Sequence, residues 1–285
     1  MLASKHLRSV KQVLALLVMA ACALPAPAVM AQAGAGQATI QDKALIDAVH
    51  GAWRSPQNRA RDAYRHPVES LTFWGLKPGD TVVEIEPGVK GWWTEILGPY
   101  LKSTGGTYVA ALSGQETTDF QAGVADKTLY GDVKAYDFGP DNTTAIPAGS
   151  ADLVLVARAF HNWARNGDQT DVYLKAFYRI LKPGGILAVE QHRAPEGADP
   201  KAGTGYVPES YVVQAAEKAG FVLDGRSEIN ANPKDTRDYP FGVWTLPPTR
   251  RSAASGQPAD PSFDHSRYDA IGESDRMTLR FRKPG

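Results

Sequence analysis

Cysteine is almost absent from this chain. Cys22 is the only one, so beyond it no intramolecular disulfide, thiolate nucleophile or cysteine-held metal is available. A cysteine-free remainder is comfortable in an oxidising compartment. Long apolar runs are missing after the N-terminus, which excludes a polytopic membrane protein. An excess of charge is missing too. The 31 Lys and Arg residues match the 31 Asp and Glu, which argues against a generic nucleic-acid binder. There is no phosphate-cradling G-x-x-x-x-G-K-[ST] and no G-x-S-x-G elbow, so P-loop and serine-hydrolase chemistry have no support. No internal repeat is visible. The hydrophobic share, 43%, is enough for a substantial core and argues against global disorder.

What is present begins with an address. Lys5, Arg8 and Lys11 precede an apolar run from Val13 to Ala21, and Val29-Met30-Ala31 closes the segment with small residues. That pattern is a secretory signal peptide, expected to be cleaved near Ala31, which makes the protein periplasmic or secreted. The rival is a lipid anchor at Cys22, preceded by Met19-Ala20-Ala21, in the manner of a bacterial lipobox. Removing residues 1–31 leaves 28 basic and 31 acidic residues.

Residues 32–64 read as a spacer followed by a helical extension, and residues 65–285 as one domain. Within it, 82–85, 107–112, 152–157 and 186–191 read as apolar strands, the continuous run 152–157 as buried parallel strands do, with 133–137 a weaker strand and 221–229 a strand candidate. Helical spacing recurs at 93–100, 172–181 and 209–219. The last run, 277–282, alternates in period two and follows no helical crossover, so it is expected to be antiparallel. The implied architecture is α/β: a doubly wound, mostly parallel, seven-stranded Rossmann-like sheet with an antiparallel last strand. Residues 230–270 are too long for an ordinary loop and are expected to be functional, partly ordered on the surface, or both.

The stretch TVVEIEPGVKGWWTEILGPY is the most telling. Strand, glycine loop and helix make the nucleotide-cradling unit of an open α/β sheet. Acids in such a turn would repel phosphate and favour a cationic ligand. Glu84 to Gly91, the strand SADLVLV, the turn RILKPGGIL and the AGF after the helix at 209–219 follow in order. Together they resemble a class I S-adenosylmethionine-dependent methyltransferase. The resemblance implies S-adenosylmethionine as cofactor and methyl transfer to a small or medium-sized acceptor. PGVKGWWTEILGPYL, FHNW, SEINANPKDT, GVWTLPPT and AIGESDRM are similar to stretches in a group of exported bacterial proteins of that superfamily. Against the family's acid-x-Gly-x-Gly-x-Gly loop, Glu86 stands at the first glycine position. Leu112-Ser113-Gly114-Gln115 stands where an acid usually grips the ribose.

Candidate residues follow from these placements. Glu84, Glu86, Gly88 and Gly91 are candidates for the cofactor pocket, or form a plain strand-to-helix turn. Asp137 and Phe138 would cap and stack an adenine, or are a loop acid and a core aromatic. His161 and His192, at the ends of neighbouring strands, are the acid–base candidates, with imidazoles suited to proton transfer near neutrality. The alternative is a pair of structural histidines, and their spacing gives no metal site. Trp163, Arg193, Asn230 and Asn232 are candidates for the acceptor. Arg276 reads best as one half of a structural ion pair with an acid. Two other functions stay open: an exported binding or accessory protein that kept the fold without transfer, and a different enzyme using His161 and His192.

Overall fold

The computed structural model describes residues 42–88, 91–114, 116–166 and 169–285. The expected signal peptide, Cys22, the spacer and Val89-Lys90 lie outside them. The described residues fall within one compact unit, Gln41–Gly285.

Eight strands are present: β1 Thr81–Ile85, β2 Thr107–Leu112, β3 Lys134–Asp137, β4 Ala151–Ala157, β5 Leu181–Ala194, β6 Val207–Pro208, β7 Val222–Ser227 and β8 Arg276–Arg282. They follow the order β3-β2-β1-β4-β5-β8-β7, with β6 paired to β5 off that path. Neighbours from β3 through β5 are parallel. β8 runs antiparallel to both β5 and β7. The expected seven-stranded α/β sheet with an antiparallel last strand is therefore the one observed. The eighth strand, β6, is two residues long and leaves no pattern to read.

Period-two alternation divides the apolar strand residues between the two faces. Val83, Ile85, Val154 and Val156 join Phe160, Leu174 and Phe177 on one side. Val82, Leu153 and Leu155 join Trp74, Trp93 and Ile96 on the other. Truncating a fully buried aromatic such as Phe177 to alanine typically costs about 3–5 kcal/mol. The base of the sheet is pinned by Asp152, which accepts from the Thr81 amide at 2.8 Å and pairs with Lys182 at 2.8 Å. The Lys182-Pro183-Gly184-Gly185 segment, read as a helix-ending turn, belongs to β5, whose register with β4 shifts between Ala151 and Leu153. Gly184 takes φ +76° there, a conformation glycine adopts without strain.

The helical extension is built into the unit. Asp42 caps the helix Lys43–Val49 through the Ala44 and Leu45 amides and accepts from the Tyr100 hydroxyl at 2.6 Å. This holds that helix to the helix Thr94–Thr104. The latter contains Pro99, which has no N–H for the Glu95 carbonyl. The Trp53 indole donates to that carbonyl instead, at 2.9 Å.

The chain runs outward from β1 to β2 and β3, then returns to β4 and β5. The order therefore reverses between β1 and β4, and the crevice beyond their C-terminal ends is where ligands bind in sheets of this kind.

Candidate functional site

Three acids gather on the β1–β3 side of the crevice. Glu84, the fourth residue of β1, faces the helix Thr94–Thr104. It accepts from the Tyr108 hydroxyl at 2.6 Å and the Thr94 hydroxyl at 3.5 Å. Burial raises its carboxyl pKa to about 7, against the opposing pull of those hydrogen bonds and of Arg158. Glu86 follows the strand in the left-handed region, φ +51°, strained for any residue but glycine. Its carboxylate crosses the crevice. One oxygen accepts from the Trp163 indole at 2.9 Å, the other from the Asn162 amide at 3.0 Å. Burial raises the Glu86 pKa, and the nearby Glu116 charge adds to the effect against those hydrogen bonds.

Between these acids the backbone is bare. Gly88 takes φ +69°, and a Cβ there would meet no atom within 4 Å. Gly91 is different, because its Cβ would meet the Thr94 hydroxyl at 2.4 Å. At the next two strand tips the Gly114 amide donates to Asp137 at 2.9 Å, which ties β2 to β3.

The opposite bank, over β4 and β5, is cationic. A cavity of about 520 Å³ opens there. Arg65, Arg158, His161, Arg165, His192 and Arg251 line it, with Trp244, Pro247 and Pro248 as its apolar wall and Glu273 as its acid. Arg158 follows β4 at φ +60°, a second strained non-glycine residue beside the crevice. Behind the wall, Glu273 is almost fully buried. It accepts from Arg61 at 2.6 Å, from Arg65 at 2.9 Å and from Arg276 at 2.9 Å. Arg276 also pairs with buried Glu190 at 2.9 Å. The structural reading of Arg276 is thus the one observed.

His161 and His192 meet in this cavity, their ring centres 5.8 Å apart. His161 Nδ1 lies 3.4 Å from the Gln191 amide nitrogen, and His192 Nδ1 lies 2.6 Å from the Ser274 hydroxyl. Burial pushes the His161 pKa down to about 4, and the Arg165 and Arg158 charges add to that. His192 is held well below its ordinary value, by burial first, then by His161, Arg158 and Arg276. Both rings are therefore neutral near pH 7 and weak as bases.

The other sequence candidates are dispersed. Trp163 is buried, stacked on Tyr173 with ring centres 4.3 Å apart, and reaches the crevice only through its bond to Glu86. Phe138 is buried beside Tyr173 and Phe177, so its ring is in the core. Arg193 pairs with Asp275 at 3.0 Å and Glu228 at its side. Asn230 is buried and donates to Ser70 and Thr278. Asn232 donates to the Ile271 and Glu273 carbonyls. These last contacts hold the segment after β7 against the start of β8.

Sequence reading missed Arg65, Arg158, Arg165, Trp244 and Arg251 as one group. The signal was present as arginine density, in RSPQNRARDAYRHP and in Thr249-Arg250-Arg251. The long segment 230–270 contributes Trp244, Pro247 and Pro248 to the apolar wall.

Residues 112–189 match a family model described as a methyltransferase domain. The match runs from the end of β2 into β5 and covers under a third of the chain. No curated protein matches the sequence. Among solved structures, the complex of the Haloferax volcanii Trm112 methyltransferase activator with a putative methyltransferase is similar at 17% identity. The likeness covers 86% of this chain and 100% of that one, with a TM-score of 0.51. A putative sarcosine dimethylglycine methyltransferase from Galdieria sulphuraria is 12% identical over 77% of this chain and 88% of that one, TM-score 0.52. The [4+2]-cyclase SpnF is 14% identical over 85% and 92%, TM-score 0.51. The chain therefore has the Rossmann-like methyltransferase fold, and at these identities the structural likeness concerns the fold alone.

Proposed function

We propose that the protein transfers a methyl group from S-adenosylmethionine to a small or medium-sized acceptor. The observation that carries this reading is the methyltransferase-domain match over residues 112–189, because that span includes β4 and the loop from Arg158 to Trp163 on one bank of the crevice.

The residues present fit a cationic nucleoside. Glu86 and Glu116 are close enough for their charges to interact and Gly88 follows Glu86 with open space beside it, and carboxylates in a partly dry crevice attract a sulfonium where they would repel a phosphate. Gly88 leaves open the space a side chain would fill. Glu86, at the position of the family's first glycine, would lie against the ligand. With Ser113-Gly114 at the tip of β2, Glu116 and Asp137 are the nearest acids for ribose hydroxyls. When bound, the cofactor supplies an electrophilic methyl group on sulfur. The protein's contribution is alignment of the acceptor and exclusion of water. Glu86, Asn162 and Trp163 form the partition between the two banks and set how closely the two ligands approach. His161, neutral and weakly basic, is suited to orienting the acceptor by a hydrogen bond rather than to removing a proton at pH 7.

Calorimetry with S-adenosylmethionine and with S-adenosylhomocysteine, its demethylated product, tests the reading. Saturable binding of both is expected. An absence of binding heat from either at millimolar concentration would overturn it. Export belongs to the same reading, supported by the basic, apolar and small-residue order of residues 1–31. The mass of the protein recovered from the bacterial periplasm or medium is expected to lack that segment. Retention of residues 1–31, or acylation at Cys22, would contradict cleavage near Ala31.

A further inference from the structure

The cavity over β4 and β5 contains more positive charge than its own residues neutralise. Behind it, Arg61, Arg65, Arg158 and Arg276 share two buried carboxylates, Glu190 and Glu273. The nearby acid Asp62 is already engaged by Arg54, at 2.6 and 2.8 Å. At the rim, Arg165 and Arg251 lie over the Trp244 ring, 6.0 and 5.0 Å from its centre.

The inner arginines also have idle donors. Arg65 is fully buried and lines the cavity. Its Nε serves Glu273, yet its Nη1 and Nη2 have no hydrogen-bond partner among the described residues. Its guanidinium lies 4.8 Å from the centre of the Trp92 ring. The Arg158 Nε is likewise buried without a partner. A buried donor left unmade costs about 1–3 kcal/mol, and more when charged, so this arrangement is expensive unless something supplies acceptors.

We propose that this cavity is the acceptor site and that its ligand is a small organic anion. Its carboxylate or phosphate sits against Arg65 and Arg158, and its apolar body lies along Trp244 and the Pro247-Pro248 wall. A planar guanidinium suits either oxyanion, because its parallel N–H groups match their paired oxygens. A volume of about 520 Å³ accommodates a small molecule. The neutral histidines agree with this assignment, since a site filled by an anion needs no second base to generate one. Glu273 also lines the cavity, but its carboxylate is already paired with three guanidiniums, Arg61, Arg65 and Arg276.

The name acceptor rests on the methyl-transfer reading, but the anion site does not, so the test uses no cofactor. Benzoate, phenyl phosphate and neutral benzamide are titrated into the cofactor-free protein, and binding is followed by tryptophan fluorescence and by the His161 and His192 ring resonances. At least one anion is expected to bind tenfold or more tightly than benzamide and to move both histidine resonances. Preference between benzoate and phenyl phosphate identifies the anionic group. Arg158→Gln is expected to weaken the preferred anion at least tenfold. Arg165→Gln, a change at an exposed rim position, is expected to weaken it severalfold and keeps the test informative if Arg158→Gln does not fold. Equal binding of benzoate, phenyl phosphate and benzamide, or anion binding indifferent to the substitutions that fold, would overturn the proposal. Failure of S-adenosylmethionine binding in the separate calorimetry would leave this result untouched.

Discussion

The two banks of one crevice carry opposite charge. On the β1–β3 side stand three acids, Glu84 buried against Tyr108 and Thr94, Glu86 after the strand and Glu116 near enough to act on it. On the β4–β5 side, Arg65, Arg158, Arg165 and Arg251 face a cavity. Glu86 crosses between them, bonded to Asn162 and Trp163. One fold thus presents a surface for a cation beside a surface for an anion, and the protonation of each bank follows from burial. Burial keeps Glu84 partly protonated near neutrality, and burial among arginines keeps the histidines uncharged.

The largest expected effect lies behind the cationic bank. Glu273→Gln removes the carboxylate that serves Arg61, Arg65 and Arg276 and leaves buried guanidiniums uncompensated. About 3–5 kcal/mol of stability should be lost in denaturant titration. A loss under about 1 kcal/mol, the range of exposed pairs, would show that the cluster is solvated and the comparison false.

The next effect sharpens the acidic bank. The Glu84 pKa is raised by folding, from 4.5 to about 7. The folded state therefore holds the proton more tightly, and the stability this gives is present at low pH and declines as pH rises through about 7. The full change is about 3 kcal/mol. Glu84→Gln should flatten that slope, and an unchanged slope would place the ionisation elsewhere.

His161 should slope the other way. Its folded pKa is depressed from 6.5 to about 4, so stability is full above 6.5 and declines as pH falls through about 4. Up to about 3 kcal/mol is at stake. NMR titration of the ring reads the pKa directly. The groups that face the ring are Gln191 and His192 on β5, Trp244 on the long segment, and Arg158 and Arg165 beside it. Arg165→Gln should therefore raise the His161 pKa by a fraction of a unit. A ring that titrates near 6.5 would mean the cationic bank is open to water.

Much of the fold was legible because the central strands are apolar runs with their own end signals. SADLVLV, ILAVEQ and MTLRFR became β4, the middle of β5 and β8. The turn that leaves β1 was legible for the same reason, since Glu84 to Gly88 is contiguous. The cationic cavity was not. Arg65 and Glu273 are 208 positions apart, and no local pattern records that a helix before β1 will meet the turn before β8. Arg193, Asn230 and Asn232 look like ligands in sequence because they are polar at strand ends. In the fold, their hydrogen bonds satisfy the backbone, hydroxyls and acids of neighbouring segments, a role that a polar residue's identity alone does not separate from binding.

The central claim is that the acidic bank receives a sulfonium nucleoside, and charge discrimination tests it most directly. S-adenosylmethionine and S-adenosylhomocysteine differ by one methyl group and one positive charge. Calorimetric titration of both should show S-adenosylmethionine losing about tenfold in affinity, about 1.4 kcal/mol, in Glu86→Gln, with S-adenosylhomocysteine unchanged. Equal affinities for the two nucleosides, both indifferent to Glu86→Gln, would contradict it.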